Sequence, residues 1–435
     1  MPVNLSMIIR NRWMILAAAI GVQVCLGVIF AWSAFATPLT KAPYDFSRLQ
    51  TQILFSAGLA SFALAMAFGA NRLQQAIGQR LAVCFGGLIL AAGYLLAGFS
   101  GTNFWLLLLS VGVLSGTGIG LAYVHPIAIL VKWFPDKKGA ITGIAVAGFG
   151  IGAMLWIMLT GGFKLGDWFN LTPGWDGLYA DGWTVNQVFR LYGLIFALLI
   201  PIGSFFMVNP PAGQVISTVN STSFQAMTNI ELATSEMIRT SQYWILLSGY
   251  AAGTMSGLMV IGIIKLFAVD ALTGNGIGQV QAAAIANTAM GFFYAITNAI
   301  GRIAWGVISD HLGRKYSIIL MSASQSLMML LLYPIAQYEW GLYIGAALIG
   351  FSFGGNFALF PAAAADYFGT HSVGANYPRV FLGYGIGGIL GPILGGFMGD
   401  RKLWLAAFIP AAIVCLLASI LTTRLKPVSR PHAHI

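Results

Sequence analysis

The chain has 435 residues, 58% hydrophobic and only 8% charged, with a mean hydropathy of +0.82 and a formal net charge of +10. A soluble domain carries about 25% charged residues, so a water-soluble globular protein is excluded. Unbroken apolar runs also exclude an outer-membrane barrel, whose strands alternate polar and apolar residues.

Arg10 and Arg12 precede an apolar run from Trp13 to about Leu39. The run lacks a small-residue cleavage site, which makes it a first membrane span and not a signal peptide. Twelve apolar segments follow one another: 13–39, 50–71, 81–100, 104–131, 139–162, 188–208, 243–267, 280–308, 316–336, 341–365, 379–399 and 403–423. About 20 apolar residues span a bilayer as a helix, and tilt accommodates the longer runs. The positive charge lies in short loops, where it signals orientation and gives no clustered surface for nucleic acid. With the N-terminus inside, 14 Lys and Arg fall on the inner side against 7 on the outer. The positive-inside rule then places both termini in the cytoplasm of a multi-pass cell (inner) membrane protein. Cys25, Cys84 and Cys415 sit in apolar segments as small hydrophobes, with no disulfide framework and no metal-ligand spacing. No cofactor is implied, and a monomer in the lipid bilayer is expected.

The longest inner loop, residues 209–241, is rich in Ser, Thr and Asn and separates residues 1–208 from 242–435. Its Thr234–Arg239 reads as a short amphipathic approach to span 7. The outer loop 163–187 carries four Trp and Tyr residues with three Asp. Such aromatics suit the membrane interface.

The two halves repeat. Gly148-Phe149-Gly-Ile-Gly152 in span 5 matches Gly383-Tyr384-Gly-Ile-Gly387 in span 11, and Gly78-Gln79-Arg80 matches Gly313-Arg314-Lys315, both at an offset of 235 residues. Such repeats mark transporters whose site lies between the halves. The expected fold is therefore all-α: 12 transmembrane helices in two pseudo-symmetric six-helix bundles.

Arg302 breaks that symmetry, since its counterpart is Ala67. It lies in the apolar run from Gly291 to Ile308, with nothing acidic near it until Asp310. A guanidinium keeps its proton there. In mid-bilayer it costs roughly 2.5–3.5 kcal/mol even on the lenient insertion scale. Such a charge needs a partner, and an anionic ligand supplies one. Tyr294, Asn298 and Arg302, spaced i, i+4, i+8, form one stripe on span 8. The bland alternative has Arg302 paired with backbone carbonyls or with a carboxylate from another span.

Gly306-Val-Ile-Ser-Asp310-His-Leu-Gly313-Arg314-Lys315 resembles the signature loop of the major facilitator superfamily; the first-half copy has Gln75 at the aspartate position. Asn11-Arg-Trp13, Phe30-Ala-Trp-Ser33, Lys132-Trp-Phe-Pro-Asp-Lys-Lys-Gly139, Gly354-Gly355 with Leu359-Phe-Pro361, and Asn376-Tyr377 narrow the match. Together they resemble the oxalate/formate antiporter family and bacterial monocarboxylate (lactate/pyruvate) transporters. The resemblance implies that Arg302 binds a substrate carboxylate. It also implies that Tyr384 stands where the oxalate exchanger has a second cation, a lysine. One fixed cation suits a monoanion. Family aromatic positions fall on Phe30, Tyr123, Phe353, Phe357 and Phe381.

Further candidates carry weaker signals. Asn356 adds a polar group to the aromatic face of span 10. His125 titrates near neutral pH and is the candidate proton carrier, against a structural role beside Pro126. Lys265 and Asp270 fall at the outer end of span 7, where snorkelling explains the lysine. Asp310, Arg314 and Asp366 are the candidate inner-gate charges. No Asp or Glu lies in mid-span, so proton coupling would use a histidine, a helix-end acid or the substrate's own carboxyl. These readings converge on a non-enzymatic secondary transporter of small monocarboxylates with proton symport. An obligate carboxylate exchanger is the alternative. A channel, a transport-derived sensor and an intramembrane enzyme lack, respectively, pore rings, a soluble signalling domain and a catalytic grouping.

Overall fold

A computed structural model describes residues 11–134, 138–161, 177–210, 231–369 and 372–428. The aromatic outer-loop stretch before 177, most of the inter-bundle loop and Pro135–Lys137 of the Lys-Trp-Phe-Pro motif lie outside the described residues. Within them every regular element is a helix. The twelve spans are Arg12–Leu39, Arg48–Ile77, Gln79–Ala97, Phe104–Trp133, Gly143–Gly161, Val185–Phe205, Ser241–Gly274, Gln279–Leu312, Arg314–Ile335, Glu339–Phe368, Val373–Asp400 and Trp404–Thr422. The helix holding span 5 begins earlier, at Lys138.

Several helices run further than apolarity predicts. Span 7 continues to Gly274, which brings Asp270 into the helix. Span 10 continues to Phe368 and absorbs Asp366. Span 11 begins at Val373 and is interrupted at Phe381. Hydropathy marks where lipid begins, whereas a helix continues as long as its backbone can bond to itself.

Spans 1–6 form one bundle and spans 7–12 the other, and the bundles meet along spans 2 and 11, 5 and 8, and 1 and 7. Because the number of spans is even, the described ends Asn11 and Val428 lie on the same membrane face, called here the terminal face. Gly78 (φ 81°) and Gly313 (φ 82°) make the same positive-φ turn in the two halves, a conformation open to glycine without a Cβ penalty.

The glycine ladder of span 11 packs on span 7. A Cβ at Gly383, Gly387 or Gly391 would meet span-7 backbone at Leu247, Ala251 or Met255. Small residues at this spacing let membrane helices approach closely. On the terminal face, Asn376 donates to the Leu232 carbonyl (3.0 Å) and accepts from the Thr234 hydroxyl (2.9 Å). The Leu232 N–H in turn donates to the Phe368 carbonyl (3.0 Å). The end of the inter-bundle segment is thereby fixed to spans 10 and 11.

Overpacking a close helix contact costs about 1–3 kcal/mol. Gly391→Leu, which would press on fixed backbone, is expected to lower the thermal midpoint of the detergent-solubilised protein and its monodisperse yield. Ile389→Leu, on the exposed side of the same helix, should leave both unchanged.

Candidate functional site

Arg302 is 2% exposed. Its Nε donates to Asn298 Oδ1 (2.9 Å), and one terminal nitrogen donates to the Val146 carbonyl of span 5 (2.7 Å). The bond to Val146 joins the two bundles. Among the described residues, the other terminal nitrogen, Asn298 Nδ2 and the Tyr384 hydroxyl are buried without a well-formed hydrogen bond, although the Tyr123 hydroxyl comes within reach of the guanidinium. Three buried donors around one guanidinium thus lack a full complement of acceptors. Unmet buried polar groups carry a desolvation penalty, larger still for charged ones, and an anion would relieve all three. The guanidinium carbon stands 4.1 Å from the Phe357 ring centroid and 5.8 Å from that of Phe149. Stacking of this kind is worth up to about 2 kcal/mol when desolvated.

Aromatic rings enclose the charge. Phe30 packs edge-on to Phe149 (5.1 Å) and against Phe353 (5.6 Å) and Phe357 (6.2 Å). Tyr384 lies 5.8 Å from Phe357 and stacks on Phe381 at 4.6 Å. Tyr123 is 5.3 Å from Phe149, and its hydroxyl lies close enough to Arg302 to act on its charge. Tyr294, 6.2 Å from Phe353, donates its hydroxyl proton to the Gly257 carbonyl of span 7 (3.2 Å).

Helix irregularities hold several of these rings. Phe30 lies in a 3-10 turn, Gly27–Ala31, inside span 1. Tyr294 closes the π-helical segment Ala289–Tyr294; such segments are frequent at functional sites. Tyr123 stands at a break just before Pro126, and the side chain of Gln23 donates to its carbonyl (3.1 Å). Gly150 has no Cβ where one would stand 3.2 Å from Asn298 Oδ1, so span 5 can approach Arg302.

The structure brings together Arg302, Asn298, Tyr294, Tyr123, Tyr384, Phe30, Phe353, Phe357 and Phe381. It places other candidates elsewhere. Asn356 faces Gly253 of span 7 and donates to the Phe353 carbonyl of its own helix (3.0 Å). Its amide is therefore not among the donors around Arg302. His125 is fully buried on the terminal side of the cage, with its ring turned toward the Leu121 backbone; its carbonyl accepts from Gln79, the first residue of span 3. Lys265 is 7% exposed and lies nine residues before the end of its helix, enclosed by protein. Snorkelling to the interface does not describe it.

The signature-loop charges form one cluster. Arg314 donates to Asp366 (2.8 Å), Asp310 (2.8 Å) and Ser309. It ties the terminal-face ends of spans 8, 9 and 10 within a single bundle.

Sequence reasoning missed Val146 and Phe149, and also Phe62, 5.4 Å from Tyr384, and Tyr250, 5.8 Å from Phe381, apolar or aromatic positions with no distinguishing pattern. The repeat held the one available signal, because Phe149 is the counterpart of Tyr384. It also missed an ionic lock on the opposite face. Arg48, opening span 2, makes two bonds to Asp270 of span 7 (2.6 and 3.0 Å) and one to the Gly399 carbonyl (3.0 Å). The Arg48 and Leu49 N–H groups donate to Asp400 (2.6 and 3.2 Å). These contacts bind the bundles together across the opposite face. Among the described residues no cluster of His, Cys, Asp and Glu is placed to hold a metal.

Two pseudo-symmetric six-helix bundles with a charged cage between them make this a secondary-carrier architecture. The chain belongs to the Major Facilitator Superfamily, whose family profile matches residues 13–293 and 277–434. The MFS-type transporter YhjX of Escherichia coli (strain K12) is 30% identical over 390 residues, covering 87% of this chain and 86% of its own. The oxalate:formate antiporter of Oxalobacter formigenes is 25% identical, covering 97% and 93%. Apicoplast pyruvate carrier 1 of Toxoplasma gondii is 26% identical, covering 86% and 81%. In fold, the chain resembles a bacterial homologue of the human lysosomal transporter Spinster, crystallised inward-facing and unoccupied. The TM-score is 0.66 at 16% identity, with 96% of this chain and 99% of that one covered.

Weakening the lock should expose the bundle interface from the opposite face. Ser56, 3% exposed and 3.4 Å from the Ile389 carbonyl, reports on that interface. In a background free of the native cysteines, Asp270→Asn is expected to raise impermeant-maleimide labelling of Ser56→Cys severalfold. Unchanged labelling would show that the lock does not hold the face shut.

Proposed function

We propose that the chain is a secondary active transporter of small monocarboxylates of the lactate and pyruvate type, working by alternating access with proton symport. One observation carries the reading. A single buried cation, Arg302, faces the cage with an unused terminal nitrogen beside the unused Asn298 amide and Tyr384 hydroxyl. A guanidinium grips a carboxylate through two parallel N–H···O bonds. Asn298 and Tyr384 orient the anion, and the phenylalanines bound an apolar space that favours a short aliphatic tail. Position 384 is a tyrosine and not a second cation, which favours a monoanion over oxalate. Both the pyruvate carrier and the antiporter named above support a carboxylate substrate.

No Asp or Glu lies in mid-span, so one proton entering with one anion would travel on the substrate's carboxyl or on His125. The excess of basic residues on the terminal face supports a cytoplasmic terminal face, in a chain that resides in the cell (inner) membrane. Asp310, Arg314 and Asp366 brace that face during the rocking of the bundles, and the carrier works as a monomer. The likeness to the oxalate:formate antiporter along nearly the whole chain favours one second reading, obligate carboxylate exchange.

Removing one partner of a buried charged pair costs about 2–5 kcal/mol. Arg302→Ala should therefore reduce labelled pyruvate uptake at least about thirtyfold in proteoliposomes while leaving the size-exclusion profile normal; near-normal uptake would end the site assignment. Tyr384→Phe, which removes one hydrogen bond to a charged group, should raise KM by about ten- to a hundredfold. An imposed inward proton gradient should accelerate uptake into vesicles lacking internal substrate. Uptake that ignores the gradient and requires internal anion would instead establish exchange.

A further inference from the structure

Lys265 is a second buried cation of the C-terminal bundle, and the cage around Arg302 does not use it. Its side chain is 7% exposed, and among the described residues it has no hydrogen-bond or ion-pair partner. One turn toward the cage, Gln52 of span 2 donates to the Gly262 carbonyl (3.0 Å), and its own Oε1 is buried without a partner among the described residues. Span 1, from Trp32 to Leu39, packs alongside span 7 here. Lys41 lies close enough for its like charge to reach Lys265, which is already desolvated by burial. Two acids of the opposite face are already engaged: Asp270, five residues on in the same helix, holds Arg48 and accepts from the Trp404 indole (3.3 Å), and Asp400 holds the N-terminus of span 2. Among the described residues, Lys265 therefore stands in a positive region with no carboxylate paired to it.

Lys265 is too far from Arg302 to grip the same small anion. The Tyr294 hydroxyl bond to Gly257 sets the two helices level at that point. Lys265 lies eight residues beyond Gly257 toward the opposite face, about 12 Å along the axis, and Arg302 lies eight residues from Tyr294 in the other direction, about another 12 Å. A two- or three-carbon acid bridges only a small part of that separation.

We propose that Lys265, with Lys41 contributing to the field, forms a separate binding station for a small carboxylate monoanion on the route from the opposite face to Arg302. The proposal rests on the carboxylate reading of Arg302 and on the assignment of the opposite face to the outside. When the Arg48 lock parts, an entering anion meets Lys265 first and passes inward to the guanidinium. A charge-lined approach raises the local anion concentration and the encounter rate without altering the inner binding step.

The test compares vesicle orientations with radiolabelled pyruvate. In right-side-out vesicles Lys265→Gln should raise KM about tenfold at nearly unchanged kcat, Lys41→Gln should raise it about threefold, and Lys265→Arg should restore it. In inside-out vesicles all three should match the wild type. Lys41 is exposed, so its variant keeps the test decisive if Lys265→Gln folds poorly. Unchanged right-side-out KM in the variants that fold, or equal changes in both orientations, overturns the station. Arg302→Ala, run in parallel, tests the transport site independently: inactivity there with unchanged Lys265 and Lys41 variants leaves the carboxylate site standing and removes only the station.

Discussion

The site depends on one constraint: a guanidinium has five donors and no acceptor, and Arg302 is enclosed in the middle of a membrane protein. Asn298 and Val146 each take one donor, and Phe357 covers a face of the charge. None of these supplies a negative charge. The protein therefore positions the cation without neutralising it. A buried carboxylate partner would have closed the balance and left no reason for an anion to enter.

The bond to Val146 gives the same residue a second consequence. It is a direct hydrogen bond from the cation to the other bundle, so the geometry of Arg302 depends on how the bundles sit. An anion that draws the guanidinium toward Tyr384 competes with the Val146 carbonyl for the same fork of donors. In the proposed carrier, binding and bundle position would be coupled through this one side chain, with no relay needed between them.

Much of this was legible in the sequence because charge in an apolar run is a rare signal and glycine repeats keep their spacing. The twelve spans, the Arg302 stripe, the ladder of span 11 and the Arg314 cluster all read from pattern. Phe62, Phe149 and Tyr250 did not, since an aromatic residue in an apolar span looks the same whether it faces lipid, a neighbour or a cavity. The Arg48–Asp270 pair joins residues 222 positions apart, and Arg48 reads locally as an ordinary loop cation. Asn356 misled for the converse reason: helix periodicity places it on a face but does not tell which neighbour that face meets.

The lock between Arg48 and Asp270 has both side chains about 20% exposed. Its partners are wetted by the medium, whereas the cage is not. Interactions between wetted charges weaken as the Debye length shrinks with added salt. The free-energy difference between the carrier's closed and open opposite face is therefore partly a property of the surrounding electrolyte. Two populations of the same protein, one in dilute and one in saline surroundings, would rest at different points of the transport cycle before meeting any substrate.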